Sequence, residues 1–368
     1  MRLAHLWSAC VVLTLVSAGC TRENPDFTGN PRPPDGGGGG GDLSGTKELG
    51  LVADLARREQ GPTPSKPEGV DVLIVVDNSG GMETPQTWLA TTIDTLIGGL
   101  KALPGVNFRV GVTTTDMGVG PYQNAGCTDT GHQGSLLIPP ECPRPKGGVR
   151  FVEQVGSVVN VSGSAEAAVS CYVQQGSGGC GFEQPLKAMK AALTQANKGF
   201  LRPGAALAVV VLTNEDDCSA AKDSLFDPYD SGLGPYSSYR CFQYGVLCSG
   251  QQPPLEATVL GGCQPGQQWL HDVKTEYADP ILGLRPPGWT SILVIAAPPR
   301  KTITVEQVGY NPPQFQVKES CNAGGMYGMP APRLEQFVAL TGGELASVCG
   351  GNYRPALSSL SSRIQAAF

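Results

Sequence analysis

The sequence predicts an α/β fold: a doubly wound, mostly parallel sheet with two disulfide-stapled loop inserts. Three observations carry that expectation. Segments 70–76, 205–212 and 291–297 are nearly continuous runs of Val, Ile, Leu and Ala, the pattern of strands covered on both faces. Helix-patterned stretches lie between such runs, and strands alternating with helices build parallel sheets. Two long segments, about 116–170 and 218–266, break the alternation and are rich in Gly, Pro, Ser and Cys. Ordered loops of that length are uncommon unless they carry function. With 368 residues, 40% of them hydrophobic, the chain can bury one large or two ordinary domains.

The elements follow in order from the N-terminus. Arg2, an apolar run over 3–16 and Ser17-Ala18-Gly19 read as an export signal over 1–19. The run is short for a membrane span. Cys20 comes next, and the stretch resembles a bacterial lipobox, although Ser17 stands where Leu is usual. The resemblance implies that Cys20 is lipidated and becomes the mature N-terminus, and Thr21 after it leans toward the outer membrane. Ordinary secretion with cleavage nearby is the alternative. Residues 20–66 read as a flexible tether, because the Pro-rich 30–35 and the six glycines of 36–41 can bury no core. A short helical spacing around 49–58 is broken by Gly61-Pro62-Thr63-Pro64. One folded domain is expected from 67 to 368.

Within it, strand 70–76 leads into the turn Asp77-Asn78-Ser79-Gly80-Gly81, then a helix over 83–103 and a strand over 108–114. A helix over 184–198 precedes the strand 205–212. After the strand 291–297 come a helix over 334–340, a last strand over 344–348 and a terminal helix over 355–368. No internal repeat is visible.

Of 12 cysteines, Cys10 lies in the signal and Cys20 would carry lipid. Ten remain: Cys127, Cys142, Cys171, Cys180, Cys218, Cys241, Cys248, Cys263, Cys321 and Cys349. An even set in an exported chain reads as disulfides. There is no CxxC, which argues against both a zinc site and a thiol redox centre. Proximity in sequence suggests Cys127–Cys142, Cys171–Cys180 and Cys321–Cys349, with the other four closing one loop region.

A net charge of −6 with scattered Lys and Arg leaves no electrostatic footprint for nucleic acid. Function is therefore sought at the strand ends, since open parallel sheets bind ligands at their carboxyl edge. Asp77-Asn78-Ser79 follows the first strand, and Thr213-Asn214-Glu215-Asp216-Asp217 follows the central one. Oxygen donors from such loops suit a hard cation, Mg²⁺ or Ca²⁺. Three acids beside Asp77 would also repel one another without a counter-ion.

Strand 72–76 with its DxSxG turn resembles the first motif of von Willebrand factor type A domains. Over 69–368 the resemblance implies a Rossmann-like sheet that binds a protein partner at a metal-ion-dependent adhesion site, with a partner carboxylate completing the coordination. That family has DxSxS, a mid-domain Thr and a later Asp. Asp77 and Ser79 match the first motif, and Gly81 replaces its second Ser. The Thr position falls near 180–183, where Glu183 is the only carboxylate, and the late Asp falls near Asn214. The implied ligand set is Asp77, Ser79, Asn214, Asp216 and Glu183, with Glu215 and Asp217 as substitutes. Alternatively, Asp77 merely caps the following helix or loop amides. Asp116, ending the second strand, either joins the same rim or caps its own loop.

An enzyme reading is poorly supported. His132 and His271 are the only histidines beyond the signal, and there is no GxSxG, HExxH or phosphate loop. The expected function is that of a cell-envelope lipoprotein binding a protein ligand. A metal-free structural component of an envelope or surface assembly is the alternative, and a hydrolase the third.

Overall fold

The computed structural model describes residues 65–368, except 106, 123–125 and 129. The expected signal 1–19, Cys20, the tether up to residue 64 and the helical spacing at 49–58 lie outside the described residues. In chain order the strands are β1 (Gly69–Val76), β2 (Asn107–Thr114), β3 (Val152–Val155), β4 (Val158–Val159), β5 (Ala205–Leu212), β6 (Val246–Cys248), β7 (Thr258–Gly261) and β8 (Cys263–Pro265). They continue with β9 (Thr290–Ala296), β10 (Thr302–Tyr310), β11 (Pro313–Val317), β12 (Cys321–Ala323), β13 (Met326–Gly328) and β14 (Glu344–Ser347). The helices are α1 (Glu83–Lys101), α2 (Ala165–Tyr172), α3 (Pro185–Ala191), α4 (Tyr239–Gly245), α5 (Asp279–Gly283), α6 (Pro332–Thr341) and α7 (Arg354–Gln365).

The main sheet has seven strands in the order β14-β9-β5-β1-β2-β3-β4. Five consecutive strands, from the edge strand β14 to β2, pair in parallel, and β3 and β4 extend the sheet antiparallel. Side chains alternate between the faces of a strand. An all-apolar strand therefore needs cover on both sides. Val72, Ile74 and Val76 of β1 pack under α1, α2 and α7. Leu73 and Val75 pack under α3, α5 and α6 on the other face. Each of these β1 side chains is fully buried, and such burial stabilises by roughly 1.5–3 kcal/mol per side chain. The chain winds from β1 out through β2 and β3, then returns to β5, β9 and β14. The sheet order therefore reverses between β1 and β5.

The inserts contribute more regular structure than their composition suggests. The first supplies β3, β4 and the start of α2, and the second supplies α4 and β6 to β8. Two expected disulfides are corrected. Cys127 bonds Cys180, and Cys142 bonds Cys171, in place of Cys127–Cys142 and Cys171–Cys180. Packing of α2 on the helical layer carries Cys171 to Cys142, so neighbours in space are not neighbours in sequence. Cys321–Cys349 is as expected, and Cys218–Cys241 and Cys248–Cys263 close the second insert. The helix expected over 184–198 is regular only over α3 and widens into a π-helical turn at Ala192–Ala196.

Two further hairpins, β10–β11 and β12–β13, follow β9. Ile303, Val305, Phe315 and Val317 of the first share a small core with Tyr239, Phe242 and Val246 of the second insert. At the opposite end, the Glu68 N–H donates to Gly204 O at 2.9 Å, and Lys66 Nζ donates to the main-chain oxygen of Phe368. The start and end of the described chain thus meet beside the foot of β1. No helix among the described residues is long and apolar enough to cross a membrane.

Candidate functional site

Val76 and Leu212 are partners in register, so the turns after β1 and β5 emerge side by side. The Asp77 N–H donates to Leu212 O at 2.8 Å and ties the first turn to its neighbour. The Asp77 side chain is fully buried. Its Oδ1 accepts the Ser79 N–H and its Oδ2 the Thr213 hydroxyl, both at 2.8 Å. Burial pushes the Asp77 carboxyl up, and hydrogen bonds from Ser79, Thr213 and Asn214 partly offset it.

A second loop is fastened onto this turn. Gln86 donates its amide to Asp77 O and Gly176 O, both at 2.8 Å, and accepts the Gly176 N–H at 3.1 Å. The Gly179 N–H donates to Asn78 O at 2.7 Å. A Cβ on Gly179 would stand 2.4 Å from the Asn78 side chain, which would have to move aside. The fastened loop delivers Glu183, which is 2% exposed. Its carboxyl sits against the Ser79 hydroxyl and is pushed well up by burial, then by Glu215 and Asp77. Glu215 is partly buried. Burial and the nearby Asp77 push it up to about 7, with Ser238 opposing.

The expected ligands are not all brought together. Asp77, Ser79 and Glu183 converge. Asn214 joins them through its N–H, while its carbonyl accepts the Met329 N–H at 2.7 Å. The Asn214 side chain hydrogen-bonds the Tyr327 hydroxyl, and its buried Oδ1 has no partner. Asp216 is engaged elsewhere. Its two oxygens accept the Leu334 and Arg333 N–H groups, each at 3.1 Å, which caps the N-terminus of α6. Burial pushes Asp216 up to about 7 despite Arg333. Asp217 is buried in an ion pair with Arg333 at 3.0 Å. Asp116 caps its own loop, accepting the Gly118 N–H at 2.9 Å. Gly81 has φ 89°, a conformation that favours glycine. A Cβ there would lie 3.9 Å from the Tyr327 hydroxyl, so a phenol approaches where the resemblance places a serine.

Thr213, Glu215, Ser238 and Tyr327 complete the surroundings. Thr213 was legible as the first polar residue after β5. Ser238 and Tyr327 arrive on the second insert and on β13, and no local pattern marks them. Two adjoining clefts share Glu183, Glu215 and Ser238. One, of about 230 Å³, is walled by Tyr239, Phe242, Val317, Tyr327 and Met329. The other, of about 280 Å³, lies between Ser79 and Phe182.

No protein-family model matches the chain, and no curated protein matches it.

The donors around the crevice are hard oxygens: carboxylates, the Ser79 hydroxyl and the unpartnered Asn214 Oδ1. They fit Mg²⁺ or Ca²⁺ in kind. Among the described residues, no three His, Cys, Asp or Glu side chains are grouped so as to hold an ion by themselves. A cation here would therefore need Ser79, Asn214 or water to complete its shell. Two other buried acids are paired with arginines, Asp71 with Arg202 at 2.7 Å and Arg285 at 3.6 Å and Asp217 with Arg333, whereas the buried Asp116 is held by a backbone N–H. Among the described residues no Lys, Arg or His forms an ion pair with Asp77, Glu183 or Glu215. His132 Nδ1 contacts the Thr114 hydroxyl at 2.6 Å, and His271 stands edge-on to Tyr277. Neither histidine lines the two clefts.

Proposed function

We propose that residues 67–368 form a von Willebrand factor type A-like domain of a lipid-anchored envelope protein, which binds a protein partner at the crevice between β1 and β5 around Mg²⁺ or Ca²⁺. One observation carries this reading. Asp77, Glu183 and Glu215 gather at the switch point of a doubly wound sheet without a cationic side chain, while Asp71 and Asp217 each have one. Like-charged groups raise one another's pKa, and a bound cation reverses that effect. The Asp-x-Ser turn and the two-sided helical cover support the family likeness. Gly81 and Glu183 depart from the family's ligands, so the site is a rearranged one. The lipobox-like Cys20 and the Gly/Pro-rich stretch after it support an anchor and tether at the outer membrane.

Titration calorimetry at about pH 8 with Mg²⁺, Ca²⁺ and Mn²⁺ tests the cation. One saturable site is expected, lost in Asp77→Ala and weakened in Glu183→Gln. Absence of heat for all three ions would remove it. A second reading, a metal-free structural component, is favoured by the two protein donors already on Asp77. A partner captured equally well with and without chelator selects it.

A further inference from the structure

We propose that a second pocket, between α3 and the segment 271–277, takes the carboxylate of a small organic acid with an apolar body. The pocket shares no lining residue with the two clefts at the crevice. It measures about 220 Å³. Lys187, Lys190, His271 and Glu276 form its polar side, and Met117 and Tyr277 form an apolar wall. The backbone around it is irregular. The π-helical turn that ends α3 contributes Thr194, and a second π-helical turn, Lys274–Ala278, contributes Glu276 and Tyr277. Such turns are rare and recur at functional sites. Gln133 on the same rim has φ 50°, which side chains other than glycine seldom adopt.

The charges lining the pocket cancel except for one. Lys190 Nζ pairs with Glu276 at 2.9 Å and lies 5.8 Å from the centre of the Tyr277 ring. Arg333, whose guanidinium donates to His271 O, pairs with Asp217 at 3.0 Å. Asp272 does not line the pocket, and its oxygens accept the Thr275 N–H and hydroxyl and the Gln267 amide. The Lys187 ammonium forms no ion pair among the described residues. Burial, then Lys187 and Lys190, hold the His271 imidazole below its ordinary value against the pull of Glu276 and Asp217. Near neutrality it therefore presents one uncharged ring N–H. A carboxylate accepts from an ammonium and from such an N–H, and its single charge matches the single unpaired lysine. An apolar body suits Met117 and the Tyr277 ring. A phosphate dianion would bring excess charge and nothing to cover that wall.

The test uses the full chain and four small probes: benzoate, benzamide, benzylammonium and inorganic phosphate. Each is titrated calorimetrically and by the imidazole C2–H resonance of His271, which His271→Gln identifies. Benzoate should bind about tenfold tighter than benzamide, the difference expected from one charge-assisted contact, and should move the His271 resonance saturably. Lys187→Gln should erase that factor and Lys187→Arg should keep most of it. Glu276→Gln, which frees Lys190, should tighten benzoate. Lys187 is partly exposed and forms no ion pair, so its variants should fold, as thermal melts check. EDTA should leave benzoate binding unchanged. Its loss in EDTA would place benzoate on a metal ion and overturn the proposal while leaving the cation reading intact. Equal binding of benzoate and benzamide, tighter binding of phosphate or benzylammonium, or silence from all four probes would each overturn it.

Discussion

At the scale of the residue, the acids divide by company. Asp71 and Asp217 have arginines, whereas Asp77, Glu183 and Glu215 have one another. A carboxyl pushed up in the folded state keeps its proton to a higher pH than in the unfolded chain. From the ordinary carboxylate values, 3.8 and 4.5, up to about 7 for Glu215 and Asp216, the folded protein holds protons that the unfolded chain has released. Stability therefore falls as pH rises through that window. In chelator, the melting temperature should drop between about pH 5 and pH 8, with a shallower slope in Glu215→Gln, and Mg²⁺ should raise it more at the upper end. A level profile in the unaltered protein would contradict the un-neutralised cluster. The place of Asp77 and Ser79 was legible in the sequence, because a buried strand followed by Asp-x-Ser fixes where the turn must point, whereas Glu183 was placed beside them only by the family resemblance. The bonds of Asp216 to the Arg333 and Leu334 N–H groups were not legible, because those partners lie more than a hundred residues away.

At the scale of the element, β1 and β5 were read to within a residue because unbroken apolar runs are hard to mistake. The hairpins after β9 were missed. Ile303 and Val305 of β10 do alternate with polar residues, but the strand is half exposed and its apolar contacts come from another insert. The β12–β13 hairpin matters most, since Cys321–Cys349 staples it beside the crevice and Tyr327 rides on it. Replacing both cysteines by serine opens a link spanning 28 residues. In the chain-entropy treatment that costs about 3–4 kcal/mol. Denaturant melts should show a loss of that order, and tyrosine iodination should reach Tyr327 faster. An unchanged iodination rate would mean that the hairpin holds Tyr327 without its staple.

At the scale of the whole molecule, a sheet buried on both faces carries a cross-linked rim with its own small cores. These layers should differ in local stability, because the rim relies on disulfides and the sheet on apolar burial. Under reductant, amides of residues 218–266 and 302–328 should exchange well before those of β1, β5 and β9. Simultaneous exchange would show that sheet and rim open as one unit. The doubly wound order was legible from the alternation of strands and helices, whereas the rim's architecture depends on long-range cross-links that spacing alone misassigned.

The junction beside Lys66 and Phe368 has a mechanical consequence. It lies at one end of β1 and Asp77 at the other, so the eight residues of the strand set them roughly 26 Å apart at about 3.3 Å per residue. On the proposed reading, a pull between an upstream anchor and a partner seated on Asp77 would run lengthwise through β1. The strand is flanked on each side by a parallel neighbour in register, so the load would be borne in shear by two full ladders of hydrogen bonds at once, a geometry suited to an attachment that must hold under tension.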